Sequence, residues 1–526
     1  MSPSALPTVA LSLLHPHLQL LDNGADKPNA VGTFPIFTHR VKETLPKSEI
    51  PTQYGLLGSN ISRLEDSPSR STGGVEQLRT RLFYNVAAPT STFICGSQGS
   101  GKSHTLSTLL ENCLIQSEAN RLLHPLAGLV FHYDTFISDT GGMPCEAAYL
   151  SSHPGVQVKV LCAPSNICHI QRVYQDLPHV TVKELRINQS DLNTRRMLDL
   201  MAVSSIQGGG MPLYLHVISR ILRDMRITQQ QTDCAFDYKA FKNAIDQESL
   251  TEGQLVPLQQ RLETLESFMV KSQTLVDNPS RKSKDKYKKK AESAMEGENW
   301  ELNVSMGGQL TIVDLSCPCV TAEAACSLFN ICLSLFLEQK ATIGRVVALD
   351  EAHKYMNDSS DSQTLTESLL SVIRLQRHLG TRVVLSTQEP TVSPKLLDLC
   401  STVIVHHFTS PAWFTTLRRH LAGVSLGFEA ERDNRGGEVK GCANDDKNNS
   451  DLSSSHLNIK YEDLFTHIVG LGTGEALLFC PSALVDASTT GVSDPEASGV
   501  QLGSSTMKVR IRKRITADGG RSIMAN

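Results

Sequence analysis

The 526-residue chain carries a formal net charge of −4, with 40% hydrophobic and 20% charged residues. That balance describes a globular chain with apolar residues enough for a large core, in about two to four domain-sized units or one elaborated α/β domain, and it gives no global attraction for nucleic acid. No apolar run reaches the length of a membrane span, and the 13 cysteines, many in apolar runs as at Cys95, Cys162, Cys332 and Cys480, suit a reducing compartment, cytosol or nucleus.

Residues 1–89 are rich in Pro, Ser and Thr and read as a partly ordered N-terminal extension whose end, Leu82-Phe83-Tyr84, packs beside a core sheet. From Thr90 to Thr105 an apolar run of β formers breaks into a glycine-rich loop and then into helix-forming sequence. Gly96, Ser97, Gln98, Gly99, Ser100, Gly101, Lys102 and Ser103 complete the GxxxxGK[ST] pattern of a phosphate-binding loop, with His104 following. The glycines let backbone amides and a helix N-terminus face a polyanion, Lys102 is placed to reach the β and γ oxygens, and the Ser103 hydroxyl is placed to ligate Mg²⁺. The cofactors implied are ATP and Mg²⁺.

Apolar residues at helical spacing follow from Thr105 to Leu122, then strand patterns at Leu129 to Asp134 and Val156 to Leu161. Asp134 stands either at the ligand-binding edge of an open sheet or as a cap for the next segment. Residues 190–304 turn helical by pattern, and Leu255, Leu258, Leu262, Leu265 and Met269 form one stripe that packs inside the molecule. The run RKSKDKYKKK, Arg281 to Lys290, reads as a solvated loop, with nucleic-acid contact or nuclear import as alternatives.

Strand patterning returns at Gln309 to Ser316, a helix follows from Thr321 to Glu338, and Arg345 to Tyr355 reads RVVALDEAHKY. Four apolar residues leading to Asp-Glu have the form of a Walker B strand: Asp350 would hold Mg²⁺ through water, and Glu351 would orient and deprotonate the attacking water. Thr381 to Pro390 is a further strand, ending in Ser386, Thr387 and Gln388, whose amide could bridge Glu351 and the γ-phosphate water. Arg374 and Arg377 lie on the helix before it and act either as arginine fingers toward a neighbouring subunit or as solvated surface. Thr402 to Phe408 is the next strand, and 429–455 reads as an inserted polar loop. In the tail, 483–526, an extended KVRIRKR would put Lys508, Arg510, Arg512 and Arg514 on one face, as a charge-protected edge strand or a phosphate-tracking surface.

These motifs resemble the HerA/FtsK-like clade of P-loop ATPases of the ASCE type. The residues that carry the resemblance are GSQGSGKS at 96–103, LDEAHKY at 349–355, the run from Arg374 to Val405 containing RLQRHLGTRVVLSTQEP, and LGTGEALLFCP at 471–481. The resemblance implies an α/β P-loop fold with a RecA/ASCE-type, mainly parallel sheet, built from 90–189 and 305–482 with a helical subdomain inserted at 190–304. It implies Mg²⁺-dependent ATP hydrolysis by Lys102, Glu351 and Gln388, with Arg377 and Arg374 acting in trans in a homo-oligomer that moves double-stranded DNA. An ATP-controlled switch, or an ATPase that remodels proteins, is the alternative. The clade's N-terminal β-barrel is not readable in 1–89. The letters DEAH do not indicate a DEAH-box helicase, since no second RecA-like domain with a Gln-Arg-Gly-Arg motif follows.

Overall fold

A computed structural model describes residues 30–62, 78–135, 142–201, 213–232, 234–274, 307–339, 343–421, 461–488 and 498–519. The basic run at 281–290 and the polar stretch at 429–455 lie outside them. The described strands pair into one sheet. They are β1 (Ile36–Thr38), β2 (Tyr54–Asn60), β3 (Arg81–Asn85), β4 (Ser91–Cys95), β5 (Asn120–Arg121), β6 (Ala127–His132), β7 (Gln157–Cys162) and β8 (Val180–Glu184). After the helical insertion come β9 (Gln309–Asp314), β10 (Arg345–Leu349), β11 (Thr381–Thr387), β12 (Thr402–His406), β13 (Glu475–Phe479), β14 (Leu484–Ser488), β15 (Ser498–Gln501) and β16 (Met507–Ile511).

The order β12-β4-β11-β10-β6-β9-β7-β8 is parallel throughout. Strands buried on both faces read as unbroken apolar runs, which is why the strands ending in GSQGSG and in DEAH were legible. Alternate side chains enter opposite layers: Phe93 and Cys95 of β4 join one core, and Ile94 joins the other. One face is covered by α2 (Lys102–Leu114), which begins at the lysine of the glycine loop and buries Leu106, Leu109 and Leu110. The other face is covered by α9 (Ala322–Glu338) and α10 (Ser360–Leu379). The Thr321 hydroxyl caps α9 by accepting from Ala324 N–H at 3.3 Å, so the helix starts where the sequence pattern does.

Between β8 and β9 the described chain is helical, with α4 (Thr194–Met201), α5 (Leu213–Thr232), α6 (Tyr238–Asp246), α7 (Glu252–Phe268) and α8 (Lys271–Thr274). Two shorter helices precede these: α1 (His39–Thr44) and α3 (Ile167–Tyr174). Leu258, Leu262, Leu265 and Met269 of the predicted stripe are buried in the same core as α9 and α10, and Leu255 is half-buried. After β11 come α11 (Pro394–Leu399), α12 (Pro411–His420) and α13 (Tyr461–Val469).

Beyond β12 the sheet turns antiparallel, through β13, β16, β2, β3 and β1. The Pro/Ser-rich first segment thus supplies three strands, and Leu82, Phe83 and Tyr84 lie buried in β3. Phe37 and Phe83 stack with centroids 5.5 Å apart under this wing. The tail departs from expectation. β16 pairs with β13 on one side and β2 on the other, so it is an interior strand and not a charged edge. Its basic side chains are consumed locally: Arg510 pairs with Glu475 at 2.6 Å and Lys508 with the same carboxylate at 3.7 Å. No helix among the described residues is long and apolar enough to cross a membrane.

Candidate nucleotide site

β4 is buried along its whole length and delivers the chain at the carboxyl edge of the parallel strands, where open α/β sheets bind ligands. Three glycines then take positive φ: Gly96 at 153°, Gly99 at 74° and Gly101 at 112°. At Gly96 a Cβ would sit 2.7 Å from the Cβ of His406, so a side chain there is excluded by space as well as by conformation, and at Gly101 one would sit in tight contact 3.1 Å from Gly474 N. Gly101 caps α2 without any side-chain hydrogen bond. The first N–H groups of that helix therefore remain available to an anion. Ser97, Gln98 and Gly99 line the accessible rim and Ser100 is buried, its hydroxyl donating to Ser97 O at 2.7 Å. Lys102 is 3% exposed and its Nζ donates to Ser97 O at 2.9 Å. Burial pushes its pKa down, and the charges of Glu351 and Asp350 oppose that fall.

One strand, β11, separates β4 from β10. The polar ends of all three strands consequently meet at one edge. Asp350 follows β10 and is 3% exposed, and its Oδ1 has no hydrogen-bond partner among the described residues. Glu351 takes φ 46° and ψ 47°, the left-handed region. Its Oε1 accepts from Gln388 Nε2 at 2.6 Å. Burial and the Asp350 charge raise its pKa, with Lys102 and Gln388 pulling the other way. Gln388 is itself fixed, its backbone oxygen accepting from the Trp413 indole at 2.6 Å and its N–H donating to His353 Nδ1 at 3.4 Å. The structure thus brings Lys102, Asp350, Glu351 and Gln388 together, with half-buried Ser103 beside Lys102 at the start of α2. The glycine cradle and the orphaned Asp350 oxygen fit a nucleotide with its cation.

Arg374 and Arg377 are not part of this edge. They are exposed near the end of α10, which leads into the start of β11, whereas Gln388 follows its end. Seven residues at about 3.3 Å each put those ends about 20 Å apart. Asp134 pairs with Lys354 at 3.1 Å and so holds the turn after the acid pair.

Several supporting residues carry no sequence signal of their own. His406 ends β12 beneath the loop, donating from Nδ1 to Glu475 O at 2.9 Å and contacting the Thr105 hydroxyl through Nε2 at 2.8 Å. Burial pushes its pKa down to about 4, so it is neutral near pH 7. Ser97 N–H donates to His407 O at 2.8 Å, and Gly474 N–H donates to Ser100 O at 3.2 Å. His104 Nε2 donates to Arg512 O at 2.7 Å. Beyond it, Arg512 pairs at 2.7 Å with Glu111, which is fully buried on α2. Arg514 pairs with Glu146.

No protein-family model and no curated protein matches this sequence. Among solved structures the chain is similar to VirB4 of Thermoanaerobacter pseudethanolicus at 10% identity, covering 88% of this chain and 96% of that one, with a TM-score of 0.37. It is also similar to the genome packaging NTPase B204 from Sulfolobus turreted icosahedral virus 2 at 8% identity, covering 74% and 92%, with a TM-score of 0.26. A third is EssC (ATPases 2 and 3) from Geobacillus thermodenitrificans at 11% identity, covering 88% of this chain and 44% of that one, with a TM-score of 0.26. The fold itself is read from the chain's own strand order and loop geometry: this is an α/β P-loop fold whose motifs resemble those of the HerA/FtsK-like ATPases.

Proposed function

We propose that the protein is a Mg²⁺-dependent ATPase that works as a homo-oligomeric motor on double-stranded DNA. The observation that carries the hydrolytic part is the 2.6 Å hydrogen bond from Gln388 to Glu351, on a strand end adjoining the glycine loop. The loop amides and Lys102 hold the phosphates. Bound Mg²⁺ supplies neutralisation of charge on the phosphate oxygens, and Ser103 and Asp350 are the residues that would hold it. Glu351 accepts a proton from the attacking water, and Gln388 keeps that carboxylate in place while reporting its state through β11. Arg377, with Arg374, serves the site of a neighbouring subunit. The DNA substrate rests on the motif resemblance.

Glu351→Gln keeps the shape of the site and removes the base. It should bind ATP with affinity close to wild type while turnover falls by roughly 10²–10⁴-fold. Undiminished steady-state hydrolysis by that variant removes Glu351 from the mechanism.

A second reading, an ATP-controlled switch or protein-remodelling ATPase, is favoured by one finding. Among the described residues Lys508, Arg510, Arg512 and Arg514 are all engaged with Glu475, Glu111 or Glu146, so these four are not a free basic face for phosphates.

A further inference from the structure

A buried polar cluster adjoins Asp350 on the side away from β11. His132 ends β6, which pairs in parallel with β10, and Asp350 N–H donates to Phe131 O at 3.1 Å. That register sets His132 beside Asp350, and the two are 7% and 3% exposed. His132 Nδ1 lies 3.4 Å from Asp350 Oδ2, an ion-pair contact without hydrogen-bond geometry, and the Cys145 thiol donates to the same oxygen at 3.9 Å. Asp350 Oδ1 has neither contact. The next acid along, Asp314 on β9, already accepts from the Tyr174 hydroxyl at 2.6 Å and from Ser316 N–H at 3.0 Å. It therefore does not need His132 as a donor.

The carboxylate of Asp350 is thus held from one side only. We propose that His132 is a positioning residue for the cation: it anchors Oδ2 and leaves Oδ1 as the oxygen for the water shell of Mg²⁺. This rests on the Mg²⁺–ATP reading above and adds a residue to it from a strand outside the Walker motifs. Groups that orient a metal-binding carboxylate in this way commonly change metal affinity or activity by roughly ten- to a hundredfold when removed. The same trio, His132, Cys145 and Asp350, has ligand atoms within 4.8 Å of one another and is also a donor set for a thiophilic cation such as Zn²⁺. The test must separate the two.

The experiment uses the full-length protein and three variants. His132→Ala and His132→Leu remove the ring nitrogen that faces Oδ2, and Leu keeps the space filled; His132→Asn keeps an amide N–H near the position of Nδ1. Binding of a fluorescent, non-hydrolysable ATP analogue is titrated with and without Mg²⁺, turnover is titrated with Mg²⁺, melting is followed without nucleotide, and zinc content is measured. In the Ala and Leu variants the Mg²⁺ concentration for half-maximal turnover should rise roughly ten- to a hundredfold, with the metal-free nucleotide affinity unchanged. His132→Asn should recover most of the loss. An unchanged Mg²⁺ requirement in a folded Ala or Leu variant overturns the proposal. So does an Asn variant as impaired as the Leu variant, and stoichiometric zinc that His132→Asn loses would make the trio a metal site instead. If the wild-type protein binds the analogue without regard to Mg²⁺, the ATPase reading fails first.

Discussion

Glu351 sits at φ 46° and ψ 47°, a conformation that a non-glycine residue holds at a cost of roughly 1–3 kcal/mol. Strain of this kind persists where surrounding contacts over-determine it, and here the Gln388 amide, just past the end of β11, holds the Glu351 carboxylate. A base must be ionised to accept a proton. Because burial and Asp350 raise the Glu351 pKa, turnover should fall as pH drops through that raised value. Gln388→Met removes a hydrogen bond that favours the ionised form, so the acid limb of the kcat profile should move to higher pH. An acid limb that stays in place in Gln388→Met, or that persists unchanged in Glu351→Gln, assigns the titration to another group. Lys102, Asp350, Glu351 and Gln388 were legible in the sequence because each is fixed by a local pattern at a strand end. His132, His406 and Trp413 were not, because strand order brings the two histidines to the edge and helix packing brings Trp413, and neither is a local property.

At the scale of the element, α2 depends on the C-terminal segment. Glu111 is buried on that helix and accepts from Thr516 N–H at 3.0 Å and the Thr516 hydroxyl at 2.6 Å, with Arg512 at 2.7 Å. Burial alone would push its pKa up, but the Thr516 hydrogen bonds and the Arg512 charge outweigh that and leave it lowered. A depressed carboxylate contributes stability above its unfolded pKa, and that contribution is lost as pH falls through the lower folded value. Glu111→Ala leaves the buried Arg512 guanidinium without its acid and should destabilise by about 3–5 kcal/mol, read as a lowered denaturation midpoint. The loss should vanish below the folded pKa; a penalty that stays constant into strong acid would trace the effect to packing. The sequence showed four basic residues in alternation and nothing of Glu111, since a single acid in a helix pattern carries no mark of its partner.

For the whole molecule, the exposed Arg374 and Arg377 lie at the sheet edge opposite the nucleotide, out of reach of the chain's own site. A role in catalysis requires a second subunit. Arg377→Ala mixed with Glu351→Gln should regain part of the turnover that each homogeneous protein lacks, because one kind of junction then carries both an intact base and an intact arginine. No gain on mixing, with both variants assembled, removes the trans role. Double-stranded DNA should raise wild-type turnover with a steep loss in higher salt. Turnover indifferent to DNA in a protein of monomer mass supports the switch reading instead. The parallel core was legible in outline, whereas the antiparallel wing was not, because it joins strands from the two ends of the chain.

That wing has a consequence during synthesis. β2 is made long before its partner β16. Until then β2 presents an unpaired edge, and α2 lacks the arginine that neutralises its buried acid. Such non-local pairing is slow and exposes nascent chains to association. The contacts that His104 and Glu111 on the loop's helix make with Arg512 can therefore form only once the distant C-terminal segment has been made.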